Sequence, residues 1–531
     1  MASFRAPFKS GSVLVAVTLL LAACSTTGSP QSASPAQSGS SANTFVIATN
    51  DLASNLDPAL AASQPEFQFT KATYETLVNY DSTNNSLVPG LATKWQLSPD
   101  STKLTLDLRE GVKFHDDASL TAEGVVASLK RTLKIGKGES YLLSGIKDVT
   151  ADGGMRVVIT LKKPAPEFAS GLARIFIVSP KAMTENSGAD NGQTWFAKHE
   201  AGSGPYVLTG YQPEQKAVYE RFDGYWKGWS GNHIQKYVVN VVADPATQLL
   251  QIQQKTADWA TAIQNDDVVK LRKDTSVNVQ VYGGSPFYLM FNTTKGPLRD
   301  KNLREAISYA VDYEAINTQV MQGMGERIGG PLPNWMSGDM PSHKPIQQDL
   351  ARAKSLVSKA GYGVSKPVKI SFLYFSGWSF EETIAAVLQA DLKKIGIEAS
   401  VKGAPWPSYT QQASNKATRP DMGAEAVFVA TSSPGPVLGA SFDPASEGQW
   451  TYWGYNNPAF TSLLHQAEST TNEPERLNVY GQAQKLLVDD YAAIWLMQMP
   501  DIFVLQDTVK GWKHDPTWGL VPDYYSTYKT S

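Results

Sequence analysis

The chain contains one short pattern that could supply a catalytic nucleophile. Ser144 and Lys147 form a Ser-x-x-Lys sequence, which one group of acyl-transfer enzymes uses. This pattern is common by chance, and no convincing companion motif follows it. The sequence also lacks a Gly-x-Ser-x-Gly elbow, a His-Glu-x-x-His pair and a P-loop. We therefore interpret residues 144–147 as a surface turn and predict no catalytic residue.

Other titratable side chains are scattered along the sequence. No two histidines have the spacing of metal ligands; the six stand at positions 115, 199, 233, 343, 465 and 514. We predict no dedicated metal site and no cofactor, although a chelated metal could still be bound as a ligand. Acidic pairs such as Asp116–Asp117 and Glu381–Glu382 could form a glycosidase dyad, but such pairs usually lie at solvated turns and helix ends.

The composition excludes some partners. The chain has 531 residues, a formal net charge of −3, 42% hydrophobic residues and 18% charged residues. These values are ordinary for a soluble globular body, and the length suggests about two to four domains. Because the chain has no excess of basic residues over acidic ones, we predict no binding to nucleic acid. Aromatic residues make up 10% of the chain, so some could line a binding surface while most should be core.

The N-terminal segment has the pattern of an exported, anchored protein. Arg5 and Lys9 precede an uncharged apolar run that ends at Ala23. This run is too short for a transmembrane helix of roughly 20 residues, but it suits a signal peptide. The sequence Leu-Ala-Ala-Cys, ending at Cys24, resembles the lipobox of bacterial lipoproteins, and Cys24 is the only cysteine in the chain. The resemblance implies that Cys24 is lipidated and anchors the protein to a membrane, with residues 24–43 as a flexible tether.

Strand and helix patterns intermix along the body, which is typical of α/β domains. In the first half, strict alternation over residues 104–108 predicts a half-buried strand. Thr121 is a suitable N-cap for a helix over residues 122–133.

The second half contains a predicted strand–helix–strand unit. Its strands are residues 368–372 and 397–401, and its helix is residues 381–395. We also predict a helix over residues 303–321 and a final core strand at residues 492–496.

Four blocks of sequence, in order, carry a family resemblance. They are residues 91–95 (Leu-Ala-Thr-Lys-Trp) with 106–115 and 120–129; 202–206 (Gly-Ser-Gly-Pro-Tyr) with 220–226; 291–293 with 303–312; and 455–458 with 475–480. In these blocks the chain resembles the family 5 extracellular solute-binding proteins, the peptide- and nickel-type receptors of ABC importers. Each block alone is a weak signal, but four in order behind a lipobox are specific.

The resemblance implies an α/β, two-lobed periplasmic-binding-protein fold (type II, cluster C-like) with an extra inserted α/β domain. Mapped onto this sequence, it predicts a signal peptide at residues 1–23, the tether at 24–43, lobe I from 45–73, 201–283 and 498–531, the inserted domain at 74–200, and lobe II at 284–497.

The resemblance also implies a function without covalent chemistry. The two lobes would close on a peptide or peptide-like solute by a hinge motion, and an ABC permease with its ATPase subunits would import that solute. We therefore expect a monomeric substrate-binding lipoprotein, not an enzyme, at the outer face of the cytoplasmic membrane or in the periplasm. The alternatives are a non-peptide solute, such as a sugar or a nickel chelate, or a secreted lipoprotein hydrolase.

One expected feature of a peptide site is missing. Peptide receptors of this family hold the free amine of the peptide with a buried Asp that follows a Trp. The equivalent stretch, residues 420–434, has neither, and no carboxylate lies between Glu425 and Asp443. An unpaired ammonium in a dry cleft is costly. Glu425 could substitute only with a shifted loop, so an amine-blocked peptide, a sugar-like solute or a metallophore fits equally well.

The candidate ligand-binding residues match family positions or place a polar or aromatic group near the expected cleft. They are Gln64, Glu66, Phe287, Tyr288, Trp406, Glu425, Phe428, Thr431, Trp495 and Gln498. Several have a structural alternative. Glu66 could cap the following helix, Trp406 could wedge between a strand and a helix, and Phe287 and Tyr288 could pack in the core.

Overall fold

The structure is a computed structural model that describes residues 43–339, 343–448 and 451–530. The predicted signal peptide, Cys24 and all of the tether except Asn43 lie outside these residues. Within the described ranges, no helix has both the length and the apolar character needed to cross a membrane.

A ten-stranded mixed sheet runs through the body. In spatial order its strands are β10 (Tyr206–Gln212), β11 (Lys216–Arg221), β12 (Lys236–Val241), β1 (Thr44–Thr49), β13 (Trp259–Ala260), β18 (Ala493–Gln506), β14 (Val277–Phe291), β17 (Met422–Ala426), β15 (Val368–Phe375) and β16 (Ile397–Ala404). We call β10 to β13 in this order the first sheet half and β17, β15 and β16 the second sheet half.

Two long antiparallel strands join the two halves. β14 and β18 pair from Val277 opposite Gln506 to Met290 opposite Ala493. The first sheet half is attached to β18 through β13, and the second sheet half is attached to β14 through β17. The same two strands therefore carry both parts of the sheet.

A separate four-stranded antiparallel sheet forms a compact unit with its own core. Its strands, in spatial order, are β5 (Ala92–Leu97), β6 (Lys103–Leu108), β8 (Arg156–Leu161) and β7 (Ile146–Ala151). β6 contains the predicted strand, and α2 (Ala122–Ile135) contains the predicted helix, so both are confirmed. The Thr121 hydroxyl accepts a 3.0 Å hydrogen bond from the amide of Gly124, as expected of an N-cap.

Short strands complete the sheets of the chain. They are β2 (Glu75–Thr76) paired with β9 (Phe176–Ile177), β3 (Val78–Tyr80) paired with β4 (Leu87–Pro89), and β19 (Val509–Lys510) paired with β20 (Tyr528–Lys529).

The other α-helices surround the sheets. They are α1 (Gln64–Thr73), α3 (Phe168–Gly171), α4 (Pro180–Asn186), α5 (Gln193–Phe196), α6 (Pro245–Gln253), α7 (Asn265–Leu271), α8 (Lys301–Ala310), α9 (Tyr313–Ala315), α10 (Leu350–Lys359), α11 (Ser379–Lys394), α12 (Trp406–Ser414), α13 (Pro434–Phe442), α14 (Pro458–Ser469) and α15 (Glu473–Asp489).

The second sheet half is covered on both faces. The strand–helix–strand unit of β15, α11 and β16 is confirmed. Helices α8, α10 and α11 pack on the face that contains Phe287 and Leu289, while α12 to α15 pack on the face that contains Tyr288 and Trp495. Because both faces are buried, a ligand can reach this part of the sheet only at its ends.

Two predicted elements differ in length from those observed. The helix expected over residues 303–321 breaks after α8, because the side chain of Asp312 accepts a 2.9 Å bond from Ala315 and starts a new turn. The Asp312 amide donates to the carboxylate of Asp391 at 2.8 Å instead of continuing α8. The last strand extends well beyond the expected residues 492–496, since β18 continues through polar residues into the first sheet half.

Candidate functional site

The candidate ligand cleft lies over the middle of β14 and β18. β13 meets β18 at Val504, which is opposite Val279, and β17 ends opposite Phe287. With these registers, the carboxyl ends of β1, β12 and β13 point toward those of β15, β16 and β17. Ligands of open α/β sheets bind outside the carboxyl ends of the strands. The eight-residue step along β14 from Val279 to Phe287 leaves roughly 25 Å between these ends.

The crossing strands are irregular at this point, as expected of a hinge. The pairing of β14 with β18 shifts register between Gly283 and Pro286, and such bulges bend a strand. A Cβ atom on Gly284 would lie 2.6 Å from the carboxylate of Asp501, so any larger residue here would displace that side chain. Oδ2 of Asp501 in turn lies within hydrogen-bond distance, 2.9 Å, of Nε2 of His514. Hinges use a few such positions to absorb changes in backbone dihedral angles.

Gln498 is buried beside this irregular stretch, opposite Pro286. Its backbone pairs with that of Glu326, with N···O distances of 2.7 and 3.2 Å, and its Oε1 accepts a 2.7 Å bond from the amide of Asn334. Its Nε2 is buried without a hydrogen-bond partner among the residues that the structure describes. Gln498 therefore fixes the loop at residues 326–334 against the crossing strands.

Two candidate aromatic residues are exposed at the carboxyl ends of the second sheet half. Trp406 follows β16 and is 53% exposed, and Phe428 follows β17 and is 72% exposed. The Trp406 ring stacks on Tyr409, with ring centroids 5.5 Å apart, and meets Phe375 edge-on at 5.8 Å. Exposed aromatic groups at a cleft are typical of a surface that binds a partner or ligand.

Four candidate residues are buried and support the site from behind. Tyr288 and Trp495 are neighbours on β14 and β18, with ring centroids 5.1 Å apart. Phe287 packs into the opposite face of the sheet, and Thr431 is fully buried. These side chains determine where the strand ends and the 427–433 loop lie.

The two candidates on α1 have different surroundings. Glu66 accepts hydrogen bonds from the amides of Ala62 and Ser63 at 2.9 and 3.0 Å, so it caps the helix, which was its structural alternative. Gln64 donates to the carbonyl oxygen of Trp518 at 3.3 Å and is partly exposed.

Glu425 is an acid held among aromatic side chains. It lies on β17 opposite Tyr288. The residue is partly exposed, but its Oε2 is buried and no described residue gives that oxygen a hydrogen bond. Burial raises the pKa of Glu425 to about 8. The indole nitrogen of Trp453 is near enough to limit this rise in pKa, but it too lacks a hydrogen bond of ordinary geometry within the described chain.

Sequence reasoning missed a set of contacts that connect the 427–433 loop to the β3–β4 hairpin. The Ser432 amide donates to the Tyr80 hydroxyl at 3.2 Å, and the Ser432 hydroxyl donates to the Asn85 carbonyl at 3.1 Å. The Asn85 side chain donates to the carbonyl of Trp335 at 3.1 Å, and the Trp335 indole donates to the carbonyl of Gly284 at 3.3 Å. Paired asparagines such as Asn84–Asn85 favour a turn, but nothing in the sequence indicates which residues the turn contacts.

The arrangement is suited to binding by noncovalent contacts. It combines an exposed aromatic surface, a buried carboxyl group and free strand ends. In the ranges that the structure describes, no three or more His, Cys, Asp or Glu side chains are grouped so that they could hold a metal ion.

Comparison with known proteins agrees with this geometry. The family model of bacterial extracellular solute-binding proteins, family 5 Middle, matches residues 86–449, which is well over half of the chain. The chain belongs to this family. The predicted fold, an α/β solute-binding protein with two lobes, is thereby confirmed. Members of the family bind solutes outside the cytoplasm and are not enzymes.

Individual relatives of this family 5 protein differ in the ligand that their names state. It is 29% identical, over 87% of its length and 89% of the relative, to a probable D,D-dipeptide-binding periplasmic protein of Escherichia coli. It is 28% identical, over 96% of its length and 97% of the relative, to heme-binding protein A of Haemophilus influenzae.

A solved structure shows the same fold. The periplasmic binding protein DppA from Helicobacter pylori, in complex with the peptide STSA, superimposes with a TM-score of 0.78 at 24% sequence identity. The match covers 92% of this family 5 protein and 98% of that chain.

Proposed function

We propose that this protein is the substrate receptor of an ABC importer and that it encloses a peptide or peptide-like solute between its two lobes. This proposal rests on one observation: the carboxyl ends of β1, β12 and β13 face those of β15, β16 and β17 across β14 and β18. A ligand bound there would contact both lobes, so that binding would favour the closed form. The receptor would release the solute unchanged to a permease whose ATPase subunits drive import.

The ligand is proposed to be peptide-like because a dipeptide-binding relative and a peptide-bound structure match almost the full chain. A specific observation favours a second candidate. No carboxylate lies between Glu425 and Asp443, so a free ammonium would lack its partner at the position that the family uses. A non-peptide solute is therefore the alternative, and a heme-binding relative of similar identity agrees with it.

The candidate residues divide into two proposed roles. Trp406, Phe428, Glu425 and Gln64 are proposed to contact the ligand, since each is at least partly exposed near the facing strand ends. The others are proposed to position those contacts, because they are buried or bonded to backbone; they are Glu66, Phe287, Tyr288, Thr431, Trp495 and Gln498.

The remaining architecture is proposed from the sequence. Lobe I would comprise residues 45–73, 201–283 and 498–531, the inserted domain residues 74–200, and lobe II residues 284–497. A lipid on Cys24 would hold the protein, as a monomer, to the outer face of the cytoplasmic membrane.

The first test is native mass spectrometry of residues 43–531 purified from cell extract, followed by denaturation to release any bound molecule. A released peptide would support the peptide-like ligand, whereas a sugar or a metal chelate would support the alternative. If no molecule is released, thermal unfolding against a panel of peptides and other solutes decides between them. An enzyme would instead convert members of that panel, which chromatography of the mixtures would detect.

A further inference from the structure

The buried acid at the cleft carries an inference about the chemistry of the ligand. Glu425 is next to the last residue of β17, at the edge where the candidate ligand would bind. It faces Tyr288 across the strand pair. The pairing of β15 with β17 ends at Leu373 opposite Gly423, and the same register continued by two residues brings Phe375, which packs on the face of Tyr288 and Trp495, to the other side of Glu425. Glu425 is thus the one charged side chain in the row formed by Trp495, Tyr288, Glu425 and Phe375.

Glu381 is a buried acid whose role is structural, and it provides a comparison for Glu425. Glu381, at the start of α11, is buried, and its Oε2 accepts a 2.8 Å hydrogen bond from the amide of Phe375. That bond ties the helix to the end of β15. Oε2 of Glu425 has no such bond from any described residue. Buried polar groups in folded proteins are almost always paired. The nearby indole nitrogen of Trp453 limits the rise in the pKa of Glu425 but makes no bond of ordinary geometry with it, which leaves Oε2 able to accept a group of the ligand.

The surroundings of Glu425 suit a positive charge. Tyr288 is paired with Glu425 across the strands, and the Tyr409 hydroxyl donates to the carbonyl oxygen of the preceding residue, Ala424. Burial raises the pKa of these two phenols and of Tyr452, and the negative charge of Glu425 raises it further. Trp453 completes this set. Aromatic faces attract cations, and a carboxylate next to them strengthens that attraction.

We propose that Glu425 binds a positively charged group of the ligand, a guanidinium or an ammonium, and so makes the receptor selective for a cationic solute. This inference rests on the proposed function, because it takes the facing strand ends as the ligand cleft. The partial exposure of Glu425 gives the cation a route from the cleft, beside the exposed ring of Trp406. The positive charge would replace the hydrogen bond that Oε2 lacks.

Binding of a cation should release a proton from the protein. Because burial raises the pKa of Glu425 to about 8, the empty site is mostly protonated at pH 6, and the cation binds only after that proton leaves. Affinity should therefore rise between pH 6 and 8.5. The neighbouring tyrosines stay neutral over this range, since their pKa values are raised. Glu381, whose pKa burial raises to about 7, lies near Tyr409 and must be controlled.

The experiment compares probes that differ only in charge. One pair is acetyl-Ala-Arg-Ala-amide and the same peptide with citrulline in place of arginine. The other pair is butylguanidinium and butylurea, which are small and not peptides. Binding to the ligand-free protein is followed by tryptophan fluorescence at pH 6, 7.5 and 8.5, with thermal unfolding as a check of the fold. The variants are Glu425→Gln, which keeps the shape of the side chain, and Glu381→Gln as the matched buried-acid control.

The expected result is a preference for the charged member of a pair of at least tenfold at pH 8.5 and less at pH 6. The ratio of the affinities for the charged and the neutral probe should fall to about one in Glu425→Gln and stay at the wild-type value in Glu381→Gln. If only the butylguanidinium pair shows this pattern, the cation site stands and the peptide-like ligand is wrong. Equal binding of charged and neutral probes to the wild-type protein at all three pH values, or no binding of either cation, overturns the inference. The wild-type pH series decides this even if Glu425→Gln fails to fold.

Discussion

The hydroxyl of Tyr480 on α15 donates a 2.8 Å hydrogen bond to the carboxylate of Glu167, which precedes α3. Arg476, one turn earlier on α15, lies 3.4 Å from the other oxygen of the same carboxylate. The contact joins the proposed inserted domain to the proposed lobe II. Burial raises the pKa of Glu167, and the Tyr480 hydroxyl limits that rise. The Tyr480–Glu167 bond and the Ser432–Tyr80 contact thus connect two parts of the molecule that a hinge motion about β14 and β18 would separate.

Tyr480→Phe should therefore weaken ligand binding about fivefold, because one net hydrogen bond contributes about 1 kcal/mol and we expect the hinge motion to break this bond when the lobes open. Titration with the solute recovered from the purified protein measures the affinity. The matched control is Tyr313→Phe, whose hydroxyl donates at 2.9 Å to the carbonyl oxygen of Ser308 on the opposite face of the second sheet half. That variant should lose some stability and keep its affinity. Equal affinities for all three proteins would contradict a role of Tyr480 in closure.

Trp406→Ala should reduce affinity by about tenfold or more, because aromatic side chains at the centre of a binding surface contribute ~2 kcal/mol or more. Its effect on the free energy of unfolding should be about 1 kcal/mol or less, since half of the ring is already exposed. Isothermal titration and urea unfolding give the two quantities. Leu250→Ala, at a similarly exposed residue on α6, is the control and should leave affinity unchanged. A Trp406→Ala protein that binds normally would place the ring outside the ligand site.

The stability of the ligand-free protein should respond to pH through Glu381 and Glu425. Burial raises the pKa of Glu381 to about 7 and that of Glu425 to about 8, from 4.5. The folded state then holds protons that the unfolded state has released, so this stabilising contribution is complete below pH 4.5 and is lost as pH rises through 7 and 8.

Relative to the wild type, Glu425→Gln and Glu381→Gln should accordingly gain stability as pH rises from 5.5 to 8.5. Urea unfolding at pH 5.5, 7 and 8.5 measures the difference. Glu398→Gln, at an exposed position on β16, should follow the wild type at every pH. A constant difference between Glu425→Gln and wild type would show that Glu425 does not titrate in this range.

Cys24→Ser should release the protein from membranes without unfolding its body, because acyl chains on that sulfur are the proposed anchor. Fractionation of cells followed by immunoblotting gives the distribution, and circular dichroism of the released protein gives its fold. Ser25→Ala, next to the proposed lipidation site, should stay with the membrane. If Cys24→Ser remains membrane-bound after a salt wash, the lipobox interpretation fails.

The positions of several strands and helices could be predicted from the sequence. The strand at Lys103–Leu108, the Thr121 cap and the unit of β15, α11 and β16 follow from side-chain periodicity and capping residues, which depend on neighbours within a few positions. The α/β class and the family also followed, because the blocks that carry them are continuous stretches of sequence. The break after α8 did not, since it depends on Asp391, far along the chain.

The site was only partly determined in this way. The sequence indicated Trp406, Phe428 and Glu425 as candidates, but whether a ring is exposed or an oxygen lacks a partner depends on residues brought together by folding. Only the tertiary structure showed that the strand ends face each other across β14 and β18, that Gln498 fixes a loop, and that Ser432 and Tyr480 contact Asn85 and Glu167. The last two pairs are separated by more than three hundred positions. Their proximity follows from how the sheet and the four-stranded unit pack, and no local pattern encodes it.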